Sequence, residues 1–251
     1  CFQNDTCTIP IPDQKYFVHV DLIQRIIQVA PKSIGVFVTT VTECWVRPDN
    51  SSTTGNGYLL CTATSVSLVL GVPREAVKPF RDDGYSLDGT GKSIRRQREV
   101  NKAATPDKVL EVSTSPNQAL LYRLGSGDYN KIHVEGTDLL PDGPILHGLC
   151  TLGIVTNACL QYLEDSSRDC SYLQVKCLSV RFTAPVQIGS SLTVSVWVSE
   201  RFQYAQRKKS VKDRFILEFR VHCGKTIVVY CGCMEIETTH ENEVGNMISK
   251  L

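Results

Sequence analysis

Alternating apolar and polar positions recur along most of the chain and predict β-strands. Two sets occupy every second position: Leu192, Val194, Val196 and Val198, followed by Phe215, Leu217, Phe219 and Val221. Enrichment in β-branched and aromatic residues predicts further strands over 36–46, 58–70 and 226–236. Between the last two strands, Cys223, Gly224 and Lys225 predict a tight hairpin. The pattern is that of long antiparallel strands.

One segment has the spacing of a helix instead. Between 148 and 163, apolar or small residues recur every three or four positions: Leu149, Leu152, Thr156, Cys159, Leu160 and Leu163. A single, mostly apolar helix followed by long antiparallel strands is typical of a sheet wrapped around a helix. The interpretation is therefore an α+β fold.

The most polar and glycine-rich stretch, 81–117, separates two halves that both carry paired long strands. We therefore expect two units, 1–84 and 119–251, joined by a linker over 85–118. The chain begins at Cys1 without a methionine, so we also expect natural sequence upstream. The first unit shows no helical pattern, and its helix is expected in that upstream segment.

Composition narrows the class of protein. Hydrophobic residues make up 42% of the 251 positions and charged residues 21%, which favours a packed globule. The formal net charge of +1 gives no overall electrostatic basis for binding nucleic acid. No apolar run approaches the ~20 residues that a membrane-spanning helix needs. Residues 1–21 mix prolines and charges with apolar residues, so we do not expect this segment to be a signal peptide.

The 11 cysteines do not predict disulfides, because their number is odd and most lie inside apolar runs. Cys231 and Cys233 are the closest pair, but no second pair completes a zinc site. We expect reduced structural thiols, which indicates a reducing compartment.

The last three residues are Ser249, Lys250 and Leu251. A carboxy-terminal Ser-Lys-Leu is read by an import receptor as a peroxisomal address. We therefore expect a peroxisomal location, with the import receptor as a partner.

Candidate chemistry concentrates in a glycine-flanked turn after a predicted apolar strand, 119–124. Asp128, Asn130 and His133 lie within six residues there. A carboxylate beside an imidazole can hold and deprotonate one water molecule. No phosphate-loop pattern follows the glycines, and the segment offers too few strong ligands for a catalytic metal. A loop that merely caps itself remains an open alternative.

A second element precedes the predicted helix, where 144–147 leads to Gly148. The first N–H groups of a helix have no partner inside it and lie at the positive end of its dipole. An N–H at Gly148 could donate to a carbonyl oxygen that gains negative charge, as an oxyanion hole requires. An ordinary helix start is the alternative.

Together, 122–133 and 144–149 resemble the hydratase 2 motif of MaoC-like enoyl-CoA hydratases, and 180–186 is similar to the strand after that family's helix. The resemblance covers 119–236. The first half is similar, more weakly, to the substrate-binding repeat of eukaryotic double-hotdog members, such as the hydratase part of the peroxisomal multifunctional β-oxidation enzyme. The resemblance implies a double hotdog fold, with an antiparallel sheet wrapped around a central helix in each of two units.

The resemblance implies a hydro-lyase that adds water to trans-2-enoyl-CoA in fatty-acid β-oxidation, giving (3R)-3-hydroxyacyl-CoA without a cofactor or metal. Asp128 and His133 would activate the water, Asn130 would orient it or the imidazole, and Gly148 N–H would bind the thioester oxygen. The second unit would carry the chemistry and the first would hold the acyl chain.

Five residues are candidates for binding the acyl-CoA substrate: Tyr129, His147, Arg207, Lys208 and Lys209. A solvated basic surface is the alternative for the last three. An acyl-CoA thioesterase and a non-catalytic acyl-CoA binding module are the rival functions, and the presence of Asp128, Asn130 and His133 counts against both. The oligomeric state stays open, with a homodimer among the alternatives.

Overall fold

The computed structural model describes residues 3–10, 17–47, 57–82, 105–136, 140, 142–166, 172–205 and 211–239. The basic candidates Arg207, Lys208 and Lys209 and the terminal Ser249, Lys250 and Leu251 lie outside these ranges. Apart from the final residue, the chain divides into two compact units, 1–93 and 94–250, and the boundary falls inside the predicted linker.

The described residues of the first unit form one antiparallel sheet. Its strands are β1 Gln3–Pro10, β2 Phe17–Lys32, β3 Gly35–Arg47, β4 Tyr58–Val69 and β5 Phe80–Arg81. They pair in the order β1-β2-β3-β4, and β5 pairs with β2. The strands predicted over 36–46 and 58–70 are confirmed. Among this unit's described residues the only helical element is a 3-10 turn, Arg74–Ala76.

The described residues of the second unit form a five-stranded antiparallel sheet and two α-helices. Its elements are β6 Lys108–Ser113, α1 Gln118–Ser126, α2 Gly148–Ser166, β7 Tyr172–Phe182, β8 Ser191–Ala205, β9 Val211–Cys223 and β10 Thr226–Thr239. The strand order is β6-β8-β9-β10-β7. The three strands predicted in this half, the hairpin between β9 and β10 and the helix α2 are all confirmed.

The core of the second unit lies between α2 and the sheet. Apart from the half-buried Val198, the alternating apolar residues of β8 and β9 are buried as the pattern predicts, with Val196 and Phe219 fully excluded from solvent. They join Val155 and Cys159 of α2 in one hydrophobic cluster. The opposite face of α2 is exposed, including Leu149. Within the described ranges, no helix has the length and hydropathy needed to span a membrane.

Two of the described cysteines, Cys150 and Cys159, are free thiols packed in this core. Burial raises the pKa of Cys159 to about 12, so its thiol stays protonated and unreactive at neutral pH. Both therefore act as small hydrophobic side chains, as expected from their apolar neighbours.

The strand predicted over 119–124 is wrong, because this segment lies in helix α1. Only Ala119 of that helix is fully buried, while Leu121 and Leu124 are exposed. A short apolar run does not distinguish a strand from a helix, and here the helix ends at Gly127 with φ +70.

Strand β6 lies within the predicted linker 85–118, so residues 108–113 belong to the sheet instead.

A bulge in β10 brings its backbone close to the core. Cys231 has a positive φ of 53, and the pairing register with β7 shifts between Tyr230 and Cys233. A Cβ atom at Gly232 would collide with the ring of Phe219. Since that ring is fully buried, it has no room to move aside. Glycine is therefore required at 232 for close packing.

We expect Gly232→Ala to lower the free energy of unfolding by about 1–3 kcal/mol, the usual cost of overpacking a core. Gly153→Ala is the matched control, because a Cβ there meets nothing within 4 Å. Alanine at this exposed position of α2 should stabilise by roughly 0.5–1 kcal/mol. Urea denaturation monitored by circular dichroism measures both. Equal midpoints for the two variants would show that the bulge tolerates a side chain.

Candidate active site

The turn that carries Asp128 and His133, the candidate catalytic dyad, begins at the end of α1. Gly127 adopts the left-handed conformation with φ +70, and its N–H donates to the Arg123 carbonyl. This geometry strongly favours glycine and ends the helix. The Ser126 hydroxyl donates to the carbonyl of Tyr122 at 2.7 Å. The chain therefore leaves the helix in a defined direction immediately before Asp128.

In the residues that follow, three side chains each accept a hydrogen bond from the backbone N–H group two residues later. Ser126 Oγ accepts from the N–H of Asp128 at 3.2 Å, Asp128 Oδ1 accepts from Asn130 at 3.1 Å, and Asn130 Oδ1 accepts from Ile132 at 3.4 Å. The loop thus caps itself, which was the structural alternative. This capping uses only Oδ1 of the exposed Asp128 carboxylate. Its Oδ2 takes no part, so capping and catalysis are compatible.

His133 ends the 3-10 turn Lys131–His133 and is buried, with 8% of its surface exposed. Its Nδ1 lies 2.8 Å from the carbonyl oxygen of Ile145. Because a carbonyl only accepts, Nδ1–H is the donor, and the neutral ring carries its lone pair on Nε2. The imidazole therefore has the tautomer in which Nε2 can serve as a base.

The segment before α2 is held on two sides. The Ile145 N–H donates to the carbonyl of Ile132 at 3.2 Å, and the Leu146 N–H donates to Val186 at 2.7 Å. His147 follows, and its ring stacks on that of His133 with centroids 3.6 Å apart and planes at 22°. Its Nε2–H donates to the backbone carbonyl of Asp128 at 3.4 Å. The structure thus brings His147 into contact with both candidate catalytic residues.

Asp128, His133 and His147 offer ligand atoms within 4.8 Å of one another, close enough to consider a metal ion. The nearly parallel stack argues against it, because imidazole lone pairs lie in the ring plane. The planes of the two rings are nearly parallel, at 22°, so their lone pairs do not converge on one metal position. The separation also places a carboxylate and an imidazole within reach of one water molecule.

Gly148 is the first residue of α2, as predicted. A Cβ there would lie 3.3 Å from the ring of Phe182. This ring occupies the space beside the Gly148 Cα, so the missing side chain permits close packing at the helix start. The N–H groups of the first helical turn have no acceptor within the helix. Their availability fits the predicted oxyanion role, which remains a proposal.

Tyr129 is 60% exposed, and the guanidinium of Arg123 lies 4.9 Å from the centre of its ring. It lies on the surface beside Asp128, where a ligand could reach it. His147 differs, because only 2% of its surface is exposed. That burial leaves almost no surface for the substrate contact expected from the sequence.

Two parts of the site were missed in the sequence. The acceptor for His133 is a backbone carbonyl, that of Ile145, and a backbone group leaves no signal in residue type. The Tyr122 ring also lies next to His147, with ring centroids 4.7 Å apart and planes tilted by 49°. Its place in the motif could have indicated a role, but helix α1, which orients it, had been predicted as a strand.

Residues 99–217 match the family model described as "MaoC like domain". Peroxisomal multifunctional enzyme type 2 of Mus musculus is 42% identical over 112 residues, or 41% of this chain and 15% of that protein. "Enoyl-CoA hydratase 2, peroxisomal" of Arabidopsis thaliana is 32% identical over 169 residues, or 65% of this chain and 51% of that protein. The chain thus spans about half of the plant relative and a smaller share of the mouse one.

A solved structure shows the same relationship. Full-length peroxisomal multifunctional enzyme type 2 from Drosophila melanogaster matches 90% of this chain and 35% of its own, with a TM-score of 0.58 and 25% identity. The antiparallel sheets with few helices agree with the hotdog architecture that the motif implied. The chain therefore contains a MaoC-like domain and has the α+β hotdog fold.

Proposed function

We propose that the chain is a hydro-lyase that adds water reversibly to trans-2-enoyl-CoA, giving (3R)-3-hydroxyacyl-CoA in fatty-acid β-oxidation. One observation carries the proposal: the Asp128 carboxylate lies beside an imidazole, His133, whose Nδ1–H donates to a backbone carbonyl. This tautomer leaves Nε2 as the basic nitrogen of the ring, and we infer that it acts on the same water as Asp128. The relatives named enoyl-CoA hydratase supply the substrate class.

In the proposed reaction, the Asp128 carboxylate accepts a hydrogen bond from one O–H of the water. This contact orients the water oxygen toward C3 of the enoyl group. As the O–C3 bond forms, His133 Nε2 takes the other proton. The π electrons move toward C2 and the thioester oxygen, giving an enolate. The proton on Nε2 then returns to C2, which completes the addition and restores the neutral imidazole. Both new bonds form on the face of the substrate that meets Asp128 and His133.

The enolate oxygen needs a hydrogen-bond donor placed where its charge develops. We propose the N–H of Gly148 for this role, because it lies at the start of α2 and at the positive end of the helix dipole. Asn130 would contribute by holding the turn that presents Asp128, since its side chain caps Ile132. Tyr129 would contact the substrate from the exposed side.

We expect Asp128→Asn and His133→Gln each to lower kcat roughly 100-fold or more, the range for a lost general acid or base. Because the two groups act on one water, the double variant should be little worse than either single variant. Loss of the enoyl-thioester absorbance with a short and a long trans-2-enoyl-CoA gives kcat and KM.

Asp142→Asn and His222→Gln are the matched controls, since they make the same chemical changes at an exposed position and in β9. Both should keep wild-type turnover, and circular dichroism confirms that every variant is folded. A wild-type chain without hydratase activity would overturn the proposed function. Near-normal turnover of folded Asp128→Asn or His133→Gln would make that residue structural.

We also propose that the chain is imported into peroxisomes through Ser249, Lys250 and Leu251. The terminal tripeptide and the peroxisomal names of the relatives support this location. A reporter fused to residues 240–251 should accumulate in peroxisomes, and the same fusion without Leu251 should stay in the cytosol. A cytosolic distribution of the intact fusion would contradict the location and leave the chemistry untouched.

A further inference from the structure

The His147 ring lies next to two other rings of the site. The centroid of the Tyr122 ring is 4.7 Å away with its plane tilted by 49°, and the His133 ring stacks on His147 at 3.6 Å with a tilt of 22°. His147 itself is 2% exposed. A buried ring has little freedom to rotate, so the face that His147 stacks on His133 restricts the orientation of the His133 imidazole.

The same side chain reaches the second candidate catalytic residue. Its Nε2–H donates to the backbone carbonyl of Asp128 at 3.4 Å. His147 therefore touches His133 through its face and the Asp128 backbone through its edge. It links two groups that are five residues apart along the turn and that the proposed mechanism requires on one water.

The surroundings of His147 favour a neutral ring. Burial lowers its pKa, and the neighbouring His133 and Arg123 lower it further, while the Asp128 carbonyl and carboxylate act in the opposite direction. Its Nδ1 is buried and has no hydrogen-bond partner among the described residues, so a proton there would have no acceptor. A neutral ring can stack on His133 when that imidazole gains a proton, whereas a second charge would repel it.

We propose that His147 is a positioning residue that holds the His133 ring and the Asp128 backbone in register, rather than a residue that contacts the acyl-CoA. This rests on the proposed hydratase function. The ring stack orients the base nitrogen of His133, and the Nε2–H bond fixes the start of the capped turn. Loss of either contact loosens the spacing between imidazole and carboxylate.

Two variants separate these contacts. His147→Phe keeps an aromatic ring next to Tyr122 and His133 but removes the donor to Asp128. His147→Gln keeps an N–H donor of similar reach but removes the ring. Each should lower kcat roughly 10- to 100-fold, the cost of a small misplacement of reacting groups, with KM within about twofold of wild type. His222→Gln is the control histidine and should leave both constants unchanged.

A rise in KM with unchanged kcat would overturn the proposal, because it would identify His147 as a substrate-binding residue. Wild-type kinetics in both variants would overturn it as well. If one variant fails to fold, the other still provides the split between kcat and KM.

A second measurement does not depend on activity. Long-range ¹H–¹⁵N spectra of the histidine side chains should show His133 in wild type as the Nδ1–H tautomer, with a mixture of tautomers in His147→Phe and His147→Gln. An unchanged His133 tautomer in both variants would contradict the positioning role. If the wild-type chain lacks hydratase activity, the proposed function fails, and these spectra still decide whether His147 positions His133.

Discussion

The hydrogen bond from His133 Nδ1–H to the Ile145 carbonyl is the contact on which the site depends. At 2.8 Å it joins the turn after α1 to the segment that leads into α2. The same bond sets the tautomer of the imidazole, because a carbonyl accepts a proton and cannot give one. One backbone oxygen therefore determines both where the base nitrogen lies and whether it is a base.

The surrounding packing holds this hydrogen bond in place. The Leu146 N–H donates to Val186, and α2 then packs Val155 and Cys159 into the core below the sheet. The bulge in β10 lets Phe219 fill that core. Local capping maintains the other side of the site, with Asp128 and Asn130 each accepting a backbone N–H. Asp128 and His133 therefore lie between the packed core and a turn that is held by its own side-chain hydrogen bonds.

Much of this fold could be predicted from the sequence, because buried residues alternate in β8 and β9 and recur with helical spacing in α2. Helix α1 could not, since a short apolar run fits either element and its end depends on the conformation of Gly127. The residue types in the turn indicated a carboxylate and an imidazole with shared chemistry. They could not indicate the Ile145 carbonyl, and they did not reveal that His147 is buried against His133 rather than open to substrate.

The central claim is that one water molecule, held by Asp128 and His133, supplies both the hydroxyl at C3 and the proton at C2. Hydration of a trans-2-enoyl-CoA in D₂O, with the configuration at C2 and C3 determined, tests it most directly. Because both groups come from one turn, the account predicts that deuterium and oxygen add to the same face, and the proposed function adds that the product is the 3R alcohol. Addition to opposite faces, or a 3S alcohol, would contradict it.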